Sequence, residues 1–193
     1  MSKDSITTPS AERLADAARA VVGKGLPPVH LWNPPFCGDL DMRIARDGTW
    51  FYLGSPITRP GLVRLFSTIL RREDGKYFLV TPVEKVGITV DDAPFVAVDF
   101  EVAGEDEAQV LVFETNVGDK VLACLDAPIR CETDPATGEP SPYVHVRAGL
   151  EALIDRKSFY RLIDIGTHHE GAFGLWSDGV FFPIADSNEV MVD

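Results

Sequence analysis

A nine-residue pattern occurs twice in this chain. The segment 57–65 reads Ile-Thr-Arg-Pro-Gly-Leu-Val-Arg-Leu, and it returns 97 residues later, at 154–162, as Ile-Asp-Arg-Lys-Ser-Phe-Tyr-Arg-Leu. Four of the nine positions are identical, and the apolar spacing is kept. In each copy a residue able to cap a helix, Thr58 or Asp155, precedes an arginine and a short apolar stripe. The repeat predicts two similar structural units packed together, and the seam between such units is a natural place for a ligand.

Size and composition indicate a folded globular protein. The chain has 193 residues, of which 45% are hydrophobic and 25% charged, which suits one domain or two small ones sharing a core. The polar start, Met1–Ser5, lacks the apolar stretch of a signal peptide, and no apolar run is long enough to span a membrane. The three cysteines, Cys37, Cys124 and Cys131, form no CxxC pair, which argues against a disulfide framework or a zinc site. We therefore expect a cytoplasmic protein with reduced thiols.

Charge is unevenly distributed along the chain. The net charge of −12 disfavours binding to a nucleic acid polymer or to an anionic membrane, because both require a cationic face. Residues 48–72 contain four arginines and no acid, whereas residues 86–119 contain nine acids and no lysine or arginine. The two regions could complement each other within the fold or across a homodimer. Alternatively, the arginine region stays free to receive an anion.

Turn and helix signals give the order of elements in the first unit. A hairpin is predicted at Asp47-Gly48, followed by a helix from about Arg59 to Arg71 and by further strands at 76–81 and 86–90. In this prediction Arg64, Arg71 and Arg72 share the outer face of the helix. Before the unit comes a helix capped at Thr8, and then a proline-rich extended segment over 26–35.

The second unit repeats the same order after a strand-rich insert. Hairpin turns are predicted at Ala148-Gly149 and Ser177-Asp178-Gly179, on either side of a helix from about Arg156 to Leu162. The predicted fold class is α+β, with duplicated ββαββ-type units, twisted antiparallel sheets and an N-terminal helix. The predicted boundaries are 1–35 for the N-terminal helix and extended segment, 36–92 for the first unit, and 93–193 for the second unit with its insert.

Several motifs resemble those of a bacterial family of unknown function, DUF1285. They are the segments 41–44, 47–50, 54–59, 79–85, 113–119, 143–147 and 174–177, and the resemblance covers about Pro28 to Ile184. It implies a duplicated α+β architecture whose C-terminal half is loosely similar to a pleckstrin-homology fold. It also implies a ligand site between the halves, nucleotide-like ligands and a role in signalling. The resemblance implies no catalytic residues.

The junction Thr81-Pro82-Val83-Glu84-Lys85 concentrates polar chemistry at the end of a predicted strand. Lys85 could bind a phosphate, and Thr81 and Glu84 could orient a ribose or base. The alternative is a local turn with a salt bridge.

Other candidate ligand residues lie elsewhere in the chain. Arg59 and Arg156 are equivalent in the repeat, and each stands at a helix start, where a cation is unfavourable unless an anion is also present. Arg147 has the same two interpretations, anion binding or pairing with an acidic side chain. Asn116 stands in a polar turn, and Trp176 beside a turn could stack on a ring.

These residues predict a non-catalytic ligand-binding or regulatory protein that binds a small anionic, nucleotide-like metabolite between its two units. The sequence leaves the cofactor unknown, and the chain lacks the common nucleotide-binding and hydrolase motifs. One alternative is a protein-interaction module that uses Arg64, Arg71 and Arg72 as a docking face. Another is a hydrolase that uses Glu84 and a histidine, so whether the protein is an enzyme stays open.

Overall fold

The computed structural model describes residues 8–23 and 25–190, so the polar segment Met1–Ser5 lies outside the described residues. The chain divides into two compact units, one ending at Asp91 and the other beginning at Asp92. In the described part of the chain, none of the helices combines the length and the apolar composition that crossing a membrane requires. All three cysteines are free thiols.

The first unit contains two helices and a six-stranded sheet. The helices are α1 (Ala11–Val21) and α2 (Pro60–Thr68). The strands are β1 (Phe36–Ile44), β2 (Trp50–Tyr52), β3 (Ser55–Pro56), β4 (Leu70–Glu73), β5 (Lys76–Val80) and β6 (Lys85–Val90). Their order in the sheet is β3-β2-β1-β6-β5-β4. The stacked rings of Trp50 and Phe66, 6.2 Å apart and both fully buried, join the sheet to α2 in the core.

The second unit contains a six-stranded sheet, a three-stranded sheet and two helices. The first sheet consists of β7 (Phe95–Ala103), β8 (Val110–Thr115), β9 (Lys120–Leu122), β10 (Ile129–Thr133), β11 (Pro140–Arg147) and β12 (Leu150–Ile154). The remaining elements are α3 (Arg156–Asp164), β13 (Thr167–His169), β14 (Ala172–Ser177), β15 (Val180–Asp186) and α4 (Ser187–Val190). The strand orders are β10-β11-β12-β7-β8-β9 and β13-β14-β15.

The duplicated α+β architecture is confirmed. In both units a hairpin, a helix and three strands follow one another, and Leu70 at the start of β4 has its equivalent in Thr167 at the start of β13, 97 residues later. Most neighbouring strands are antiparallel, as predicted, but β1 pairs with β6 and β12 with β7 in parallel. The strands of each parallel pair are separated along the chain by other strands, and β1 and β6 also by α2, a connection that permits parallel pairing where a hairpin does not.

The two repeated helices begin one residue apart in the repeat. Asp155 is the N-cap of α3, as predicted, and its carboxylate accepts a hydrogen bond of 2.8 Å from the Ser158 N–H. In α2 the N-cap is Arg59 rather than Thr58, and no side chain caps this end. The reason is Pro60, which occupies the first helical position and restricts the residue before it to extended backbone. For α1, likewise, Ser10 replaces the predicted Thr8 as N-cap.

The prediction that Arg64, Arg71 and Arg72 share an outer helix face is wrong. Helix α2 ends at Thr68, and Arg71 and Arg72 lie in β4, where they pair with Phe78 and Tyr77. The two-residue turn Asp74-Gly75, in which both φ angles are positive, joins β4 to β5. The hairpin that it closes pairs residues 70–73 with residues 76–79, so the end of the predicted helix is a strand. The docking face of the interaction hypothesis is therefore not formed.

Arg71 instead holds the proline-rich segment 26–35 against the sheet. Its side chain is only 14% exposed, and its guanidinium donates to the carbonyl groups of Val29 and Trp32, at 2.9 and 2.7 Å. The segment is extended as predicted, except for a short 3-10 turn over Val29–Leu31.

Candidate functional site

The turn between β5 and β6 uses its polar side chains internally. Thr81 is fully buried, and its hydroxyl oxygen accepts hydrogen bonds from the N–H groups of Val83 and Glu84, at 3.4 and 3.2 Å. The Thr81 N–H also donates to the Glu84 carbonyl, at 2.9 Å. These bonds stabilise the bend at Pro82. They also engage the Thr81 hydroxyl, which the sequence predicted to contact a ligand.

Glu84 and Lys85 each face a partner within the first unit. The Glu84 carboxylate is 5% exposed and lies 3.9 Å from a guanidinium nitrogen of Arg13 on α1. The Lys85 ammonium donates to Glu73, at 2.9 Å, and lies 4.9 Å from the centre of the Phe78 ring. The hydrogen bond from Lys85 lowers the pKa of the Glu73 carboxyl. The structure thus gives both residues a salt bridge.

In the second unit, Asn116 and Arg147 also make contacts within the fold. The Asn116 side-chain oxygen accepts a hydrogen bond of 3.0 Å from the Val96 N–H, which ties the turn after β8 to β7. Arg147 pairs with Asp119, and its guanidinium lies 4.9 Å from the centre of the Phe95 ring. Asp119 belongs to the acidic region 86–119, so Arg147 follows the charge-pairing interpretation of the sequence.

Arg156 is the first residue of α3, and its side chain is 76% exposed. It contacts the Tyr160 hydroxyl at 3.2 Å and the Glu139 carboxylate at 3.6 Å. Trp176 is half-buried on β14, in an aromatic cluster with His169 and Phe181 at centroid distances of 5.0 and 5.3 Å. It also lines a cavity of about 320 Å³ in the second unit.

Arg59 differs from the other predicted residues of the first unit. Its side chain is exposed and makes no hydrogen bond or ion pair with any described residue. It lines a pocket of about 470 Å³ that lies between α1 and the start of α2. Every described residue that lines this pocket belongs to the first unit. The size falls within the range of small-molecule sites, about 300–1,000 Å³.

The pocket has a cationic wall and a mixed wall. At the start of α2, Thr58 and Arg59 stand beside a helix N-terminus that no side chain caps. Facing them, α1 contributes Glu12, Asp16 and Arg19, of which Asp16 and Arg19 form a salt bridge of 2.7 Å. The positive end of the helix dipole adds to the charge of Arg59, so this end favours an anion.

The sequence prediction missed the α1 wall of the pocket. Glu12, Asp16 and Arg19 recur on one side of the helix, a spacing that is visible in the sequence but is typical of any solvated helix face. Tyr52 also lines the pocket, and its hydroxyl lies 3.4 Å from the Ala11 N–H on α1. No local signal indicates that Tyr52 contacts the start of α1.

The acidic region 86–119 is partly engaged in ion pairs and hydrogen bonds within the fold. Five of its nine carboxylates have partners: Asp91 with Arg43, Asp92 with the Tyr143 hydroxyl, Asp99 with Arg161, Glu101 with Lys120 and Asp119 with Arg147. Hydrogen bonds from their arginine partners lower the pKa of the carboxyl groups of Asp91 and Asp99. Glu105, Asp106 and Glu107 pair with no described residue.

A metal site finds no support in the described part of the chain. There, no group of three or more histidine, cysteine or carboxylate side chains is placed to hold an ion. Glu84, the residue of the hydrolase hypothesis, has its carboxylate turned toward Arg13.

Comparison with known proteins places this chain in a family. DUF1285 is a family of unknown function that is described by two domain models. The model of the N-terminal domain matches residues 27–93, and the model of the C-terminal domain matches residues 94–184. No curated protein matches the chain closely enough to suggest an activity.

Two solved structures carry the same family name. A DUF1285 family protein from Silicibacter pomeroyi DSS-3 is 67% identical, with a TM-score of 0.88 over 93% of this chain and 98% of that one. A DUF1285 family protein from Shewanella baltica OS155 is 30% identical, with a TM-score of 0.51 over 65% of this chain and 91% of that one. Since both domains match in succession and the fold agrees, the chain belongs to the DUF1285 family.

Proposed function

We propose that this protein is a non-catalytic, regulatory ligand-binding protein, and that its first unit binds a small anionic ligand in the pocket between α1 and α2. The observation that carries the proposal is the position of Arg59. It is an exposed cation without a partner among the described residues, it lines a cavity of about 470 Å³, and it stands at the uncapped start of α2.

An anionic group on the ligand would satisfy this end of the pocket. An arginine at a helix N-terminus is unfavourable because the helix dipole is positive there, and a phosphate or carboxylate removes the conflict. Thr58 lines the same wall, and its hydroxyl can donate a hydrogen bond to the anionic group. Lys85 and Arg147, in contrast, are already neutralised by Glu73 and Asp119.

The rest of the pocket suits a nucleotide-like ligand. Tyr52 offers a ring edge or face to a base, and Glu12 on α1 can accept hydrogen bonds from hydroxyl or amino groups. A nucleoside monophosphate has its anion at one end and such donors at the other. A cytoplasmic location, where nucleotides are abundant, is part of the proposal.

The test is binding of adenosine monophosphate, adenosine and inorganic phosphate, measured by isothermal titration calorimetry at low and moderate salt. We expect the monophosphate to bind more tightly than either fragment. Replacement of Arg59 by alanine should weaken its binding by about tenfold or more, because a charge-assisted hydrogen bond contributes about 1.5–3 kcal/mol.

Arg64→Ala provides the matched control. Arg64 is also exposed on α2 but does not line the pocket, so its removal changes the net charge equally and should alter the dissociation constant by less than about twofold. Equal losses in the two variants would show that only the overall charge matters, and would overturn the proposal. Absence of binding by all three probes would overturn its nucleotide-like part.

A further inference from the structure

The second unit contains a pocket whose chemistry is opposite to that of the first. It has a volume of about 320 Å³ and lies where the loop after β7, the start of β8, the end of α3 and β14 meet. Glu105 and Asp106 line it, and no lysine, arginine or histidine is among its described lining residues. The site therefore favours a positive charge.

The two carboxylates of this pocket, Glu105 and Asp106, have no cationic partner among the described residues. Whereas Asp99 and Glu101, a few residues earlier, pair with Arg161 and Lys120, Glu105 and Asp106 pair with no described residue. The loop that carries them is tightly closed. Gly104 has a φ of +79°, and a Cβ atom there would lie 2.6 Å from the Ala108 carbonyl oxygen, so the loop conformation depends on glycine.

Gln109 supplies a hydrogen-bond acceptor to the same pocket. The residue is only 7% exposed, and its side-chain nitrogen donates a hydrogen bond of 2.9 Å to the Trp176 carbonyl. Because a carbonyl can only accept, this bond fixes which end of the amide is the nitrogen. The side-chain oxygen of Gln109 accepts no hydrogen bond from the described residues, although the residue lines the cavity. An open acceptor on a side chain that is otherwise mostly buried suits a ligand that carries N–H or O–H donors.

The remaining walls are apolar and aromatic. Trp176 lines the pocket together with Val102 and Ile165. An indole attracts organic cations through its π-electrons, and aliphatic walls favour a cation attached to a hydrocarbon stem. A bare metal ion would instead require more oxygen ligands, and no described group of three provides them.

We propose that the second unit binds a small organic cation with N–H donors, a primary ammonium or guanidinium group on a short hydrocarbon stem, in the pocket formed by Glu105, Asp106, Gln109 and Trp176. The carboxylates neutralise the charge, the Gln109 amide oxygen accepts an N–H, and the indole covers the stem. This inference does not depend on the anion site of the first unit.

The test uses the full chain and agmatine, which carries both cationic groups on a four-carbon stem. Its binding is measured by calorimetry at low salt and by tryptophan fluorescence, with Trp176→Phe to assign the fluorescence change. We expect Glu105→Gln combined with Asp106→Asn to weaken binding by about tenfold or more. Tetramethylammonium, which has no N–H, should bind about fivefold or more weakly than agmatine.

Glu107→Gln is the matched control, since Glu107 belongs to the same acidic loop but does not line the pocket. It should change the agmatine dissociation constant by less than about twofold. A loss as large as in the double variant, or no agmatine binding up to about 10 mM, would overturn the proposal. Arg59→Ala should leave agmatine binding unchanged, so this result is independent of the nucleotide experiment. N-acetyl-arginine methylamide, tested in parallel, distinguishes a side chain of a partner protein from a free amine.

Discussion

The Lys85 ammonium donates a hydrogen bond of 2.9 Å to the Glu73 carboxylate, and Arg71 pairs with the same carboxylate. Both cations are mostly buried, with side chains 18% and 14% exposed. Glu73 therefore balances two charges that the fold withdraws from water. This arrangement explains why Lys85, a residue that the sequence offered to a phosphate, instead helps to hold the sheet of the first unit together.

Replacement of Glu73 by glutamine should destabilise the protein. The variant keeps the shape of the side chain but leaves Lys85 and Arg71 without their counter-charge, at a cost of about 1–2 kcal/mol in the free energy of unfolding. Chemical denaturation at pH 7 measures this difference. Glu107→Gln, at an exposed and unpaired acid, is the control and should leave the midpoint unchanged. Equal midpoints for all three proteins would show that the network does not contribute to stability.

The stabilisation by Glu73 should depend on pH. Its pKa is lowered in the folded protein, first by the hydrogen bond from Lys85 and then by Arg71. A carboxyl with a lowered pKa contributes fully above its unfolded value, about 4.3, and loses its contribution as the pH falls through the folded value. The difference in stability between the wild type and Glu73→Gln should thus be constant from pH 6 to 8, within about 0.5 kcal/mol, and shrink below about pH 4.3. Unfolding curves over this range test it, and a difference that grows in acid would contradict the assignment.

The two repeated helices should respond differently to loss of their predicted caps. Asp155→Ala removes the carboxylate that accepts from the Ser158 N–H and should cost about 1 kcal/mol. Thr58→Ala changes the equivalent position in the first unit, where Arg59 is the N-cap, so it should cost less than about 0.3 kcal/mol. Thermal unfolding of the pair provides the comparison. A larger effect at Thr58 would place the start of α2 one residue earlier.

Two glycines provide an opposing pair of predictions. A Cβ at Gly174 would lie 2.2 Å from the Phe182 carbonyl oxygen on the neighbouring strand, so Gly174→Ala should destabilise by about 2 kcal/mol or more. A Cβ at Gly61, in the first turn of α2, meets no atom within 4 Å. Gly61→Ala should stabilise by about 0.5 kcal/mol, because it restricts the unfolded chain and favours the helix. Denaturation midpoints that move in the same direction for both variants would contradict this packing.

The sequence predicted the local elements well where a short signal decides them. The turns at Asp47-Gly48, Ala148-Gly149 and Asp178-Gly179 all form, and in each of them the glycine has a positive φ angle, which glycine adopts without strain. A short local signal gave a wrong prediction at Arg71. The apolar stripe before it predicted a helix through Arg71, but this segment forms a strand that pairs with β5.

The candidate site was less predictable. Arg59 could be identified from the repeat and from its place at a helix start, and the structure leaves it available. The other wall of its pocket, on α1, lies about forty residues earlier in the sequence and carries no motif. For Arg147 the sequence left ligand binding and charge pairing open, and the structure pairs it with Asp119, 28 residues away.

By itself, then, the sequence determined the duplicated order of hairpin, helix and strands, the turn positions and the cap of α3. These depend on backbone preferences within a few residues. Only the tertiary structure decided the parallel pairing of β1 with β6 and the choice of partners for the charged side chains, such as Arg161 with Asp99 across 62 residues. The reason is that such contacts depend on which strands become neighbours and in which register, and a shift of one residue turns a side chain to the opposite face.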